Sequence, residues 1–172
     1  MSEIEPTPVP AHLASEFYAW LWWRSDEVSD VFDLGSDLGS VTLWVDSRLA
    51  FRLPGDNKAT AVMTGENPNA SLESRAALAG GKVLQELRVG IRRDDREFTA
   101  TLRGPELHIT GLKVPQVLSE SEQEAVMDRM FAYDELALVV GALFSSFADA
   151  RVRPTYDSEV LGPMNAWLLG GG

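Results

Sequence analysis

The run FYAWLWW, residues 17 to 23, carries three of the chain's five tryptophans and then drops at once into the charged RSDE. Leu13, Phe17, Trp20 and Leu21 recur at spacings of four, three and one, with Ser15 and Glu16 off the centre of that stripe. This is the periodicity of an amphipathic helix, expected from about Ala11 to Arg24. At about 100° per residue, Trp20 joins the stripe and Trp23 lies on its flank, while Trp22 and Tyr18 point roughly the opposite way. A single sheet cannot bury all three indoles. In one reading Trp22 is covered by a loop or by the C-terminal tail. In the other, Tyr18 and Trp22, with Trp167 from the tail, anchor an interface, because exposed aromatic clusters are rare on monomers and favoured at contacts. Base stacking is opposed by Asp26 and Glu27, whose charge repels phosphate.

With 172 residues, 45% of them hydrophobic, the chain is expected to form one domain over residues 11–172 with a core of its own. The opening MSEIEPTPVP reads as a disordered leader over residues 1–10, without the basic flank and apolar stretch of a signal peptide. No apolar run approaches the roughly 20 residues of a membrane span, so no membrane partner is expected and the expected location is cytoplasmic. NAS at Asn69 to Ser71 is then a chance sequon. Zero cysteines exclude disulfides, thiolate metal sites and cysteine nucleophiles. The two histidines, His12 and His108, stand apart and do not make a triad or a metal set. We therefore expect no enzyme, no cofactor, no metal and no small-molecule substrate.

Two strand groups follow the first helix. DLGSDLGS is a linker, VTLWVDSRLAFRLPG reads as two strands closed around Asp46 and Ser47, and ATAVMTG as a third. SLESRAALAG, residues 71–80, has the composition of a short helix stopped by Gly80 and Gly81. Beyond it Leu87, Val89 and Ile91 alternate with Arg88, Gly90 and Arg92, and Phe98, Ala100 and Leu102 alternate with Thr99, Thr101 and Arg103. RDDR is the hairpin turn between them, and ELHITGL supplies a last strand. Ser119 with Glu122 and Ser121 with Glu124 are overlapping capping boxes that open a helix continuing to about Ala150. Its apolar residues, from Val126 and Met127 to Phe147, cover more than one face, so a further cover is expected. VLGPMNAWLLGGG, with Trp167 and Leu168, is a candidate. The fold expected is α+β, antiparallel sheets with a short helix before each strand group and a long C-terminal helix packed against them.

A net charge of −11 favours solubility and disfavours non-specific attraction to polyanions. The distribution is uneven. Residues 1–46 hold nine acids against Arg24 alone, whereas residues 82–103 hold six bases, Lys82, Arg88, Arg92, Arg93, Arg96 and Arg103, against four acids. Lys82, Arg88 and Arg92 share strand parity, and Arg103 joins them if that face meets solvent. Charged residues opposite an apolar row are also what any half-buried sheet displays. GGKV at residues 80–83 fails as a phosphate loop, since Ala76 replaces the earlier glycine and Val83 the metal-holding hydroxyl. The acids of RSDEVSDVFD lack EF-hand spacing and read as solvated.

Taken together, WLWWRSDE, SLESRAALAGGKVLQELRVGI and REFTATLRGPELHITGLKVP with the acid-opened final helix resemble the C-terminal part of the RdgC family of recombination-associated proteins. Trp20, Leu21, Glu73, Leu78, Gly81, Lys82, Leu87, Phe98, Leu102, Leu112 and Lys113 carry the resemblance. It implies a cytoplasmic, nucleoid-associated protein that binds duplex DNA without sequence preference, as a dimer, and restrains recombinase access without catalysis. The contacts would be backbone contacts from Lys82, Arg88, Arg92, Arg93, Arg96, Arg103 and Lys113. The alternative expectation is a protein-interaction module or homo-oligomer that uses Tyr18, Trp22 and the exposed side of the final helix.

Overall fold

The computed structural model describes residues 11–52, 60–64, 83–114 and 121–170. The leader, the helix expected over residues 71–80, the Asn69 sequon, GGKV with Lys82, and the His12 side chain lie outside the described residues. Helix α1, Ala11–Trp23, ends in a π-helical turn, Arg24–Val28. Then come strands β1 (Val31–Asp33), β2 (Ser40–Arg52), β3 (Thr60–Thr64), β4 (Val83–Arg93), β5 (Arg96–Arg103) and β6 (His108–Lys113). Helix α2, Glu122–Arg151, is followed by a second π-helical turn, Asp157–Leu161, and a short helix α3, Gly162–Leu168. All pairings are antiparallel in the order β1-β2-β4-β5-β6, with β3 paired to the outer part of β2. The architecture is α+β.

The sheet differs from expectation at two elements: β1, in the stretch read only as solvated acids, pairs Val31, Phe32 and Asp33 with Thr42, Val41 and Ser40, and β2 is one strand rather than two. VTLWVDSRLAFRLPG forms no hairpin at Asp46 and Ser47, and its strand residues belong to the continuous β2. Val45 pairs with Val89 and Leu49 with Leu87, so three residues of β2 stand against one of β4. The polar pair is absorbed in a bulge because both halves of β2 have the same neighbour to bond, which a turn would forfeit. The RDDR turn is present, with Asp94 at φ 55, a left-handed conformation that short polar side chains tolerate.

Strand alternation sorts the two faces. Val41, Leu43 and Val45 of β2, Leu84, Leu87, Val89 and Ile91 of β4, and Phe98, Ala100 and Leu102 of β5 are all buried. Helix α1 packs on this inner face. Ala132, Leu136, Val139, Val140, Leu143 and Phe147 of α2 are buried at helical spacing, and they close over the other side of α1. Phe17 meets Phe144 at 5.2 Å and Phe147 at 5.6 Å between ring centroids, and Trp20 meets Phe147 at 5.7 Å and Phe32 at 5.9 Å. The layers therefore run sheet, α1, then α2 with α3. A helix in the middle layer has no solvent face, and this is what the apolar run from Phe17 to Trp23 specifies.

Candidate functional site

Tyr18, Trp22 and Trp167 do not form an exposed anchor. All three are buried, at 1%, 0% and 1% exposure. The side of α1 that points away from the Phe17 stripe is enclosed as well, so Tyr18 reaches the β5–β6 turn and Trp22 reaches α3. The Tyr18 hydroxyl donates to the Gly104 carbonyl at 2.6 Å. Trp22 packs edge-on to Trp167, at 4.9 Å and 88°. The covered-by-the-tail reading of Trp22 holds. Trp167 thus serves α1, and the outer side of α2 stays exposed. Trp167 Nε1 donates to Asp26 at 2.9 Å, so one acid of the RSDE stretch has a structural partner. Trp22 Nε1 is buried without a hydrogen-bond partner among the described residues.

Two further polar ties join distant segments, and neither was legible in sequence. Glu16 accepts from the Tyr156 hydroxyl at 2.7 Å and pairs with Arg151 at 3.0 Å, which fastens the end of α2 and the turn after it to α1. Burial raises the Tyr156 pKa above the ordinary tyrosine value, helped by its hydrogen bond to Glu16 and that carboxylate's charge. Burial likewise raises that of Tyr18, with Glu106 and Glu86 adding repulsion. Desolvation lowers that of Arg24, whose guanidinium lies 4.8 Å from the Phe32 ring centroid.

The seven basic residues separate by strand parity. Arg93 and Arg96, at the β4–β5 turn, both clasp Glu135 of α2; Arg93 Nη1 lies 2.9 Å from Oε1 and Arg96 pairs with Oε2. Arg93 Nε also donates to the Leu38 carbonyl at 2.8 Å. These two guanidinia anchor the helix to the hairpin. Arg88, Arg92, Arg103 and Lys113 lie on the outer face of the sheet, on strand positions alternating with the buried row. Arg88 donates to Thr101 Oγ1 at 3.2 Å and Thr99 Oγ1 at 3.3 Å. Arg103 is bound to Glu86 at 3.1 Å. Arg92 is exposed opposite Glu97, and Lys113 is exposed opposite Thr99. In the same face Trp44 lies flat over Gly90, where a Cβ would stand 2.0 Å from the indole, so only glycine fits beneath it. Lys82 lies outside the described residues.

A second surface is apolar. Every residue of α2 from its cap Ser121 to Phe131 is exposed except half-buried Ala125. Ser121 caps the helix by accepting from the Glu124 amide at 3.2 Å, so the second of the two expected cap residues sets the start. Met127, Phe131 and Leu138 recur at i, i+4 and i+11, on the side opposite Leu136 and Val140, with Met130 beside them. Their exposures are 48%, 62%, 64% and, for Met130, 62%; Val126 on the flank is also exposed. Four large apolar side chains exposed side by side in one stripe, rather than scattered singly, are the kind of surface that contacts use. The amino-terminal part of α2 touches little of its own fold, whereas from Ala132 onward one side of the helix is core.

The same helix is, by length and composition, the one among the described residues that could cross a membrane, with mean hydropathy 1.4 in its most apolar window. One third of that window is buried against the fold, since the inner residues pack on α1. Among the described residues no group of three metal-ligating side chains occurs, and His108 is exposed on β6. A cavity of about 180 Å³ between Glu97, Phe98, Thr99, Lys113 and Val114 is smaller than the usual several hundred Å³ of a ligand site.

Fold and surfaces together define an α+β domain with a polar, partly basic sheet face and an apolar helical ridge. No family model matches the chain, and searches of curated proteins and of solved structures return no match. The RdgC resemblance therefore rests on the residues that carry it.

Proposed function

We propose that this chain is a non-catalytic protein-interaction module that docks an apolar segment of another protein on the exposed ridge of α2. The observation that carries this reading is the Met127, Met130, Phe131 and Leu138 stripe, on a helix whose inner side is fixed to the core from Ala132 onward and which is clasped at Glu135 by Arg93 and Arg96. Exposed methionines and phenylalanine are adaptable and apolar, which suits recognition of a partner helix. The test is fluorescence anisotropy of a labelled, synthetic amphipathic helical peptide titrated with the wild type and with Met130→Ser/Phe131→Ser/Leu138→Ser. Saturable binding lost in the variant at unchanged thermal stability is expected. Equal binding by the variant overturns the reading.

A second reading, RdgC-like contact with duplex DNA backbone, is favoured by one observation: Arg88, Arg92, Arg103 and Lys113 share the outer sheet face. Glu86 and Glu97 stand among them, so such binding would be weak and would fall steeply with salt. Arg92→Glu/Lys113→Glu changes exposed side chains that make no side-chain hydrogen bond or ion pair among the described residues. It should abolish binding of a random-sequence duplex at low salt, and unchanged affinity sinks this reading.

A further inference from the structure

The charge around the ridge selects its occupant. Three residues before Met127 and Phe131, on one flank of the stripe, stand Glu124 and Asp128, and Asp134 sits within the stripe between Phe131 and Leu138. All three are exposed, and none forms an ion pair among the described residues. Glu135 continues that flank but is held by Arg93 and Arg96. The nearest cation on this stretch of helix, Arg129, follows Ala125 and precedes Ala132 and Leu136 at helical spacing, so it lies on the side away from the stripe.

A second copy of this chain does not complement such a ridge. In an antiparallel two-fold pairing like flanks face each other, which sets Glu124 and Asp128 against the same carboxylates of the other copy. In a parallel pairing those acids meet the opposite flank, where Val126 and Ala137 offer no cation. An anionic lipid surface is repelled by the same carboxylates and by a net charge of −11. What fits an apolar stripe with uncompensated acids along one side is an apolar stripe with bases along one side.

Building on the docking reading above, we propose that the occupant is an amphipathic helix of another protein whose apolar face is flanked by lysine or arginine. Its apolar residues pack between Met127, Met130, Phe131 and Leu138, and its bases lie along Glu124, Asp128 and Asp134. Apolar burial supplies the affinity, and the carboxylates select basic helices over acidic ones and fix the direction of docking.

The probes are two labelled synthetic peptides of about five helical turns. They share the same leucine stripe and differ only in lysine or glutamate flanks. Anisotropy should show the lysine peptide binding at least about tenfold more tightly, a preference that shrinks with salt. Glu124→Lys/Asp128→Lys should erase or reverse the preference, and Met130→Ser/Phe131→Ser/Leu138→Ser should abolish binding of both peptides. Circular dichroism melts confirm that the variants fold. Equal binding of the two peptides to wild type overturns the basic-partner inference and leaves the docking face standing. Binding of the lysine peptide that survives the triple serine variant is general charge attraction and overturns the inference; absence of any peptide binding overturns both proposals. Dimerisation of the wild type in light scattering that the triple variant breaks would assign the ridge to a second copy. Wild-type binding to zwitterionic or anionic vesicles, lost in the triple variant, would assign it to lipid.

Discussion

Helix α1 and the first part of α2 are both conspicuously apolar, yet the fold encloses one and leaves the other in solvent. In α1 every residue from Phe17 to Trp23 is buried, and the Tyr18 hydroxyl is tied inward to the Gly104 carbonyl. In α2, Val126, Met127, Met130 and Phe131 stand open although their side chains are as apolar as those of α1. Apolar content alone does not report burial; position in the layer order does. A middle layer has two neighbours, whereas an outer helix has one, and beyond the reach of α1 the start of α2 has almost none.

That contrast can be tested by substitutions of graded effect. Truncating the enclosed helix should cost most: Phe17→Ala or Trp20→Ala is expected to lose about 3–5 kcal/mol in denaturant unfolding. Trp22→Phe should cost far less than Trp22→Ala, because its indole N–H has no partner to lose. Gly90→Ala puts a methyl where the Trp44 indole lies, and should cost about 1–3 kcal/mol with a changed near-ultraviolet dichroism as the ring swings away.

Tyr18→Phe removes one hydrogen bond and should cost about 1 kcal/mol. The two buried tyrosines also set an alkaline limit. Their folded pKa values lie above the ordinary 10.0, so the contribution of the neutral phenols is complete below pH 10 and is lost as pH rises through the folded values. Wild-type stability should therefore fall above pH 10, and less steeply in Tyr18→Phe. A flat alkaline profile would break the link between enclosure and titration. At the small end, Met130→Ser or Phe131→Ser should change stability by no more than about 0.5 kcal/mol, since these side chains touch little of the fold. A loss as large as that at Phe17 would show that the ridge is core after all.

Legibility followed the range of the forces involved. The α1 stripe, the alternation in β4 and β5, the RDDR turn and the capped start of α2 depend on neighbours a few residues away, and all were readable. The basic row was readable as a parity, but its division was not. Arg93 and Arg96 face Glu135, 42 and 39 residues distant, and Arg103 is neutralised across the ladder by Glu86. The hairpin expected at Asp46 and Ser47 failed for a similar reason, because a polar pair between apolar runs fits a turn and a bulge equally well, and β4 decided between them.

The sequence by itself determined that this chain is an α+β domain with a core helix rich in tryptophan, a sheet with a charged outer row, and a long final helix carrying more apolar surface than one contact needs. Only the tertiary structure decided which apolar surface is left over. Periodicity states which residues share a face, but whether a face is covered depends on where a distant element comes to rest. Here α3 settled on Trp22 rather than on Met130 and Phe131, which closed the patch that looked open and left open the one that the fold presents.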